Sequence, residues 1–406
     1  MKYIILQGDG MADYPLDRLG GKTPLEAART PNMDWLAARG TLGIAHVIPK
    51  GFPPGSDVGN MSIMGYDPAV YHTGRSPLEA ASMGVELGPK DVAFRCNLVT
   101  LGGSGSGAFM EDFTAGHIPT EEAAEIIRDL ARKLSVDGIE FFPGVSYRHL
   151  MVWRAGKDKM NTTPPHDITD QKVVSYMPTG DGAATLLRLM EASKRILADH
   201  PVNKKRAAEG HRKATSVWLW GQGRAPVLPS LTRRFGIKGG VISAVDIING
   251  LGVYAGLERI HVPGITGFLD TNYRGKGEYG VRSLDKNDLV FIHVEAIDEA
   301  GHMGDVDKKI QALEDFDEKV VGTVLKGMAN RKDWRVLLMP DHPTAIILKT
   351  HVAEPVPFVL FSAEKPEANT GLAYNEKDAA KTGVVAKKAF RLIEALIEGR
   401  KTWTET

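Results

Sequence analysis

Leu289-Val290-Phe291-Ile292-His293-Val294-Glu295-Ala296-Ile297-Asp298-Glu299-Ala300-Gly301-His302 is a short apolar run that gives way at once to acids and a histidine. The apolar half, Leu289–Val294, has the length and character of a strand buried on both faces. In the polar half Asp298 and His302 stand four residues apart, so both share a face if a helical turn begins there. Similar apolar runs lie at Tyr3–Leu6, Val336–Met339 and Pro357–Phe361. They read as buried parallel strands separated by helical patterns such as Asp307–Met328 and Asp378–Glu398. This predicts an α/β fold: an open sheet with helices on both faces. In such sheets ligands bind beyond the carboxyl ends of the strands. Asp9, in Gly8-Asp9-Gly10, falls there with Asp298, His302, Asp341 and His342.

At 406 residues the chain exceeds the usual size of a single core, and 43% apolar residues suffice for one large and one smaller domain. The 50 basic residues equal the 50 acidic ones, so no global field attracts nucleic acid or an anionic membrane. Any anionic ligand must be held by a local basic pocket. One cysteine, Cys96, excludes an intrachain disulfide framework and fits a reducing compartment, where it reads as a small buried hydrophobe. The amino terminus reaches Asp9 too soon for a signal peptide, and no apolar run spans a bilayer. A cytoplasmic location is therefore expected.

Residues 80–228 differ in texture from the rest. A strand at Phe94–Leu101, a Gly/Ser turn at Gly102–Gly107 and a helix over Thr120–Leu134 with Thr120 as N-cap come first. Strands at Glu140–Phe142 and His149–Trp153, a loop over Asn161–Gly182 and a helix from Ala183 to Ala198 follow. The basic run Lys204-Lys205-Arg206 reads as a solvated loop. No metal-ligand candidate lies inside this stretch. It is expected to be an inserted smaller α/β cap domain (80–228) on a core formed by 1–79 and 229–406.

Asp341 and His342 are adjacent and suit two ligands on a loop after a strand, and His351 returns nine residues after His342. Carboxylates and imidazoles without thiolate suit Mn²⁺, Zn²⁺ or Co²⁺ and disfavour Ca²⁺ or a structural zinc finger. With Asp9, Asp298 and His302 the set is large enough for two metal ions. Ser56, in Pro53-Pro54-Gly55-Ser56-Asp57-Val58-Gly59-Asn60, then acquires a role: a serine oxygen beside two metals is a nucleophile for phosphoryl transfer. Gly55 and Gly59 would let backbone approach a bound phosphate, and Asn60 would donate to its oxygens.

Taken in order, these motifs resemble the alkaline phosphatase superfamily, and within it the archaeal-type, cofactor-independent phosphoglycerate mutases. The resemblance spans essentially the whole chain. It is carried by Gly8-Asp9-Gly10-Met11-Ala12-Asp13, Thr23-Pro24-Leu25-Glu26-Ala27-Ala28, the Ser56 segment, Trp218-Leu219-Trp220-Gly221-Gln222-Gly223-Arg224, Leu269-Asp270-Thr271-Asn272-Tyr273, Glu295–His302 and Asp341-His342-Pro343-Thr344. It implies that Asp9, Ser56, Asp341 and His342 surround one metal and that Asp298, His302 and His351 surround the other, with manganese the usual ion. The implied substrate is a small phosphorylated hydroxy acid. 3-Phosphoglycerate and 2-phosphoglycerate would interconvert through phosphorylated Ser56, with no bisphosphoglycerate. Retaining the glycerate demands cations, for which Arg75, Arg148 and Arg224 are candidates. His117 resembles a cap histidine that contacts substrate and shuttles a proton. Larger relatives carry a substrate lysine and a double arginine; here Arg224 stands alone, and Lys50 and Lys276 are both open for the lysine.

A phosphomonoesterase or another phosphotransferase would use the same serine and metals, and differs only in its acceptor. A non-catalytic metal-binding protein would not need both Ser56 and complete ligand sets. A P-loop kinase is excluded because Gly102–Gly107 is not followed by Gly-Lys-Ser/Thr.

Overall fold

The computed structural model describes residues 1–134, 136–400 and 403. The chain forms two compact units, Met1–His72 with Val227–Thr406, and Thr73–Pro226. The expected division lay at 79/80 and 228/229; these units part at 72/73 and 226/227, which puts Arg75 in the second one.

The first unit is built on an eight-stranded sheet in the order Glu258–Arg259, Gly239–Ile242, Leu289–Val294, Lys2–Gly8, Trp334–Met339, Val356–Ser362, Thr41–Ala45, Val385–Ala386. The expected runs at 3–6, 289–294 and 336–339 are its three central strands, paired in parallel. The run at 357–361 was expected to be parallel as well, but Val356–Ser362 is antiparallel to both neighbours. The chain leaving Asp341 stays at the carboxyl end of the sheet, makes a small hairpin of Thr344–Ala345 with Thr350–His351, and re-enters without a crossover helix. Without a crossover it can only run back antiparallel.

Helices cover both faces. Ile4 and Leu6 belong to the large core with Leu313, Phe316 and Val320, whereas Tyr3, on the opposite face, donates its hydroxyl to Ile397 O of the Leu392–Glu398 helix. The expected 307–328 helix is continuous, but a π-helical stretch interrupts it at Phe316–Val321. That stretch presents buried Asp317 to the backbone amides of Asn32 and Met33, first-turn donors of the Pro31–Arg39 helix. The expected 378–398 helix is two helices, Glu376–Lys381 and Leu392–Glu398. Gly383, at φ +68°, ends the first, and the β-branched Val385 begins the edge strand between them.

The second unit holds a five-stranded antiparallel sheet. Val92–Gly102 lies between Arg148–Trp153 and Ser216–Gly223, with Phe109–Asp112 and Ile139–Phe142 completing it. The helices Thr120–Lys133 and Ala183–Ala198 share its apolar core. Cys96 is buried there and burial pushes its thiol pKa up. Two local expectations change. Pro119, not Thr120, is the N-cap, and the Thr120 hydroxyl accepts from Ser146 N. Lys204-Lys205-Arg206 lies in a helix, Pro201–Ala208, where Arg206 is buried against Glu122 and donates to Ala115 O. Among the described residues no helix is long and apolar enough to cross a membrane.

One buried ion pair ties the site-bearing segments of the first unit together. Lys309 Nζ donates to Asp13 Oδ2 (2.8 Å) and to Thr344 O (2.8 Å), with both side chains fully buried. Removing one partner leaves the other charge uncompensated, so Lys309→Met should cost about 3–5 kcal/mol in urea unfolding. The double variant Asp13→Asn/Lys309→Met should recover part of it. A single-variant loss below about 1 kcal/mol would show the pair dispensable.

Candidate active site

The strand carboxyl ends deliver the ligand-type side chains. Asp9 follows Lys2–Gly8, and its backbone amide donates to Val294 O. Asp298 and His302 lie on the Ala296–Met303 helix that follows Leu289–Val294. Asp341 and His342 follow Trp334–Met339, and His351 ends the small hairpin. Ser56 is the first residue of the Ser56–Ile63 helix. All seven expected residues belong to the first unit and converge.

Asp298 reaches His302 Nε2 at 3.1 Å and His351 Nε2 at 3.3 Å, through different oxygens. The two imidazole nitrogens are 2.8 Å apart. His342 Nε2 lies 3.2 Å from Asp341 Oδ2, 3.6 Å from Asp9 Oδ1 and 3.3 Å from Ser56 Oγ. Although adjacent in the chain, the Asp341 and His342 side chains meet. Asp9, Asp341 and His342 have no solvent exposure, and Asp298 is 3% exposed. Among the described residues Asp9 Oδ1 finds no hydrogen-bond partner.

Electrostatics follow from this crowding. Burial, with Asp341 close by, raises the Asp9 pKa well above the ordinary carboxylate range. Burial and the nearby Asp298 do the same to Glu295. Burial pulls Asp298 upward too, but hydrogen bonds from His302 and His351 prevail and hold it well below. Its hydrogen bond with Asp298 pushes His302 up to about 9. Burial lowers His342 and, with Lys276 beside it, lowers His293 strongly. Both imidazoles are therefore neutral near pH 7, the form in which a histidine binds a metal. Carboxylate oxygens, neutral imidazoles and an orphaned buried oxygen fit divalent cations. Among the described residues, three groups bring ligand atoms within 4.8 Å of one another: Asp298–His342–His351, Asp9–Asp341–His342 and Asp9–His293–Glu295.

Two neighbours take other work than expected. Asn60 donates its amide to Ser56 O (3.0 Å) and to Asp341 Oδ2 (3.0 Å), so it positions both residues and has no donor left for a phosphate. Gly59 serves packing: a Cβ there would stand 2.7 Å from Asp341 Cβ. Thr344 donates to Asp298 Oδ1 and lies 3.3 Å from His342 Nδ1. Of the two lysines, Lys50 is exposed, whereas Lys276 is fully buried, donates to His293 O (2.9 Å) and is brought down to about 8 by burial.

The expected substrate contacts lie in the second unit. Arg75 and Arg148 are close enough to Arg95 to oppose its charge, after burial the next repulsive influences on it. Arg95 pairs with Glu79 at 3.2 Å and sits over Trp220 at 4.3 Å. Arg148 lies over Tyr147, whose ring meets His117 edge-on. His117 is exposed at φ +48°, after Ala115 at φ +50°, in a loop clamped by Asp112 through Thr114 and Gly116. Strain of this kind persists only where surroundings enforce it. Arg224 does not join the group: four of its N–H bonds go to Asp158, Lys90 O and Gly156 O.

His293 and Glu295, which join Asp9 in a candidate ligand group, and Arg95, buried beside Glu79 and Trp220, were not among the expected residues. The signal was present for His293 and Arg95, each a polar residue inside an apolar strand run.

A family model for 2,3-bisphosphoglycerate-independent phosphoglycerate mutase matches residues 37–203. A Geobacter sulfurreducens protein named "Probable 2,3-bisphosphoglycerate-independent phosphoglycerate mutase" is 52% identical, over 98% of this chain and 100% of its own. The 2,3-bisphosphoglycerate-independent phosphoglycerate mutase of Methanosarcina mazei is 50% identical, over 98% and 100%. Among solved structures, a Pyrococcus horikoshii protein superposes with TM-score 0.81 at 26% identity, over 98% and 96% of the two chains. The cofactor-independent phosphoglycerate mutase from Thermoplasma acidophilum gives 0.66 at 27%, over 98% and 99%.

Asp9 and Glu295 have folded pKa values above their unfolded ones, so their protonated forms stabilise the fold at low pH and that contribution fades as pH climbs through the folded values. His302 likewise contributes fully below 6.5 and loses its contribution as pH rises through about 9. Chelator-treated protein should therefore melt at progressively lower temperature from pH 6.5 to 9. Saturating Mn²⁺ should oppose the trend, because deprotonated ligands bind metal better. A melting temperature that rises with pH in chelator would contradict these shifts.

Proposed function

The chain belongs to the 2,3-bisphosphoglycerate-independent phosphoglycerate mutases and interconverts 3-phosphoglycerate and 2-phosphoglycerate, and from that premise we propose that Ser56 carries the phosphoryl group between the two glycerate hydroxyls. The observation that carries the proposal is Ser56 Oγ, 3.3 Å from His342 Nε2 beside buried Asp9 and Asp341. In this reading Asp298, His302 and His351 hold one divalent ion, and Asp9, Asp341 and His342, with Ser56, hold a second, manganese being the ion in the cell. When bound, such ions neutralise the carboxylates, lower the serine pKa and polarise the phosphoryl oxygens. The enzyme works in the cytoplasm.

Ser56 Oγ gives up its proton and attacks phosphorus, the bond from phosphorus to the glycerate oxygen breaks, and that oxygen takes a proton. The neighbouring hydroxyl then loses its proton, attacks the phosphoserine and releases Ser56. His117, held on its strained loop, moves protons to and from the glycerate oxygens. At the start of the Ser56–Ile63 helix the partial positive charge of the helix favours the phosphate dianion. Asn60 orients Ser56 and Asp341 from the next turn.

The Thr73–Pro226 unit acts as the cap that retains the glycerate. Arg75, Arg95 and Arg148 form its anion-binding group, with Arg95 held between Glu79 and Trp220. Water kept out while the serine is phosphorylated makes a mutase rather than a phosphatase.

Purified protein with Mn²⁺ and no bisphosphoglycerate should isomerise 3-phosphoglycerate in an enolase-coupled assay. Ser56→Ala should lower kcat by about 10⁴-fold or more. Undiminished turnover in this variant, or free phosphate as the main product of the native chain, would overturn the assignment. Arg95→Met should raise KM by about 10- to 100-fold, the worth of one hydrogen bond to a charged group. An unchanged KM and kcat would remove Arg95 from the substrate group.

A further inference from the structure

We propose that the Thr344 hydroxyl is the positioning group that joins the two ligand sets. It holds Asp298 by donating to it, and it fixes the tautomer of His342 by accepting from Nδ1, so that Nε2 alone is free to bind. What this means for metal affinity rests on the two-ion reading above.

A hydroxyl has one proton and two lone pairs. That proton goes to Asp298 Oδ1, and Thr344 Oγ1 faces His342 Nδ1 at 3.3 Å as an acceptor only. Nδ1 must therefore carry a hydrogen, in a neutral and in a protonated ring alike. The neutral ring then has its lone pair on Nε2. Nε2 is the atom that lies 3.2 Å from Asp341 Oδ2, 3.6 Å from Asp9 Oδ1 and 3.3 Å from Ser56 Oγ. One side chain thus decides the ligand atom of His342 and the orientation of Asp298, whose oxygens meet His302 and His351.

Thr344 can do this because it is itself fixed from several sides. It is fully buried. Its amide donates to Ala12 O (3.2 Å), its carbonyl accepts from Lys309 Nζ (2.8 Å), and it is the register partner of His351 in the small hairpin. The branched Cβ restricts its χ1. Two glycines make room for it. A Cβ at Gly10 would overlap the hydroxyl and stand 2.7 Å from Asp298 Oδ1. One at Gly301 would stand 2.7 Å from Thr344 Cγ2 and 2.8 Å from Thr344 O. Gly8-Asp9-Gly10, Glu295–His302 and Asp341-His342-Pro343-Thr344 therefore meet at this one side chain, two of them supplying the glycine it needs.

An outer-shell hydrogen bond sets the orientation and tautomer of a metal-binding histidine, and its loss costs about 10- to 100-fold in metal affinity. The Thr344 hydroxyl serves a ligand in each set, so its removal should weaken both ions and not one.

The test compares Thr344→Val, which keeps the branched shape and deletes the hydroxyl, with Thr344→Ser, which keeps the hydroxyl and deletes the methyl. NMR of full-length, chelator-stripped protein carrying isotope-labelled histidine reads the tautomer at neutral pH. His342 is assigned by its loss from the spectrum of His342→Gln. The native chain and Thr344→Ser should carry the hydrogen on Nδ1, and Thr344→Val should shift it toward Nε2. Calorimetry with Mn²⁺ alone should give two ions in each, both bound about 10- to 100-fold more weakly in Thr344→Val only. A hydrogen on Nε2 in the native chain would overturn the proposal without recourse to a variant. So would a Thr344→Ser that behaves as Thr344→Val does, or a Thr344→Val in which the tautomer or either affinity stays native. Fewer than two ions in the native chain, with the tautomer still moving in Thr344→Val, would defeat the two-ion reading and leave the role of Thr344 standing.

Discussion

Three carboxylates, Asp9, Asp298 and Asp341, are held almost without solvent beside three clustered imidazoles, and the contacts that fix their backbone come from several segments of the first unit. Buried like charges repel strongly where the dielectric is low. The cluster would open unless its backbone were secured from outside. Lys309 does this by joining Asp13, just beyond Asp9, to Thr344, just beyond Asp341 and His342. Asn60 links the Ser56 helix to Asp341, and Thr344 orients Asp298. The crowding of charge, visible in the raised Asp9 and Glu295 and in the lowered His342, gives the cluster the chemistry of a candidate divalent-cation site.

The chain is electrically neutral as a whole but not in its parts. Buried carboxylates and imidazoles lie in one unit, while Arg75, Arg95 and Arg148, with the aromatic rings of Tyr147 and Trp220, lie in the other. A phosphate ester needs cations for its transferring group, and a carboxylate needs guanidinium donors in a fixed fork.

The three central strands were legible because each is an apolar run ending in polar residues, a pattern that only a strand buried on both faces requires. Asp298 and His302 were legible from their spacing of four, and they do lie on one turn of helix. Where the reading failed, a long-range partner had decided the matter. The direction of Val356–Ser362 depends on where the chain must deliver His351, not on its own valines and phenylalanines. Arg224 looked like an anion ligand until Asp158 took its fork, and Asn60 looked like a phosphate donor until Asp341 took its amide. His293 lay hidden inside a run counted as hydrophobic.

By itself the sequence determined the fold class, the overall balance of charge, and seven side chains of metal-ligand or nucleophile type that converge around Ser56. Those depend on composition, short-range periodicity and residue chemistry, which need no neighbour to be read. Only the tertiary structure decided which oxygen of Asp9 faces which imidazole, that Arg224 spends its fork on Asp158, and that Glu295 and His293 close on the same point. Each of these is a contact between segments far apart in the chain, set by strand register and by competition among donors for a limited number of acceptors. No local pattern encodes that competition.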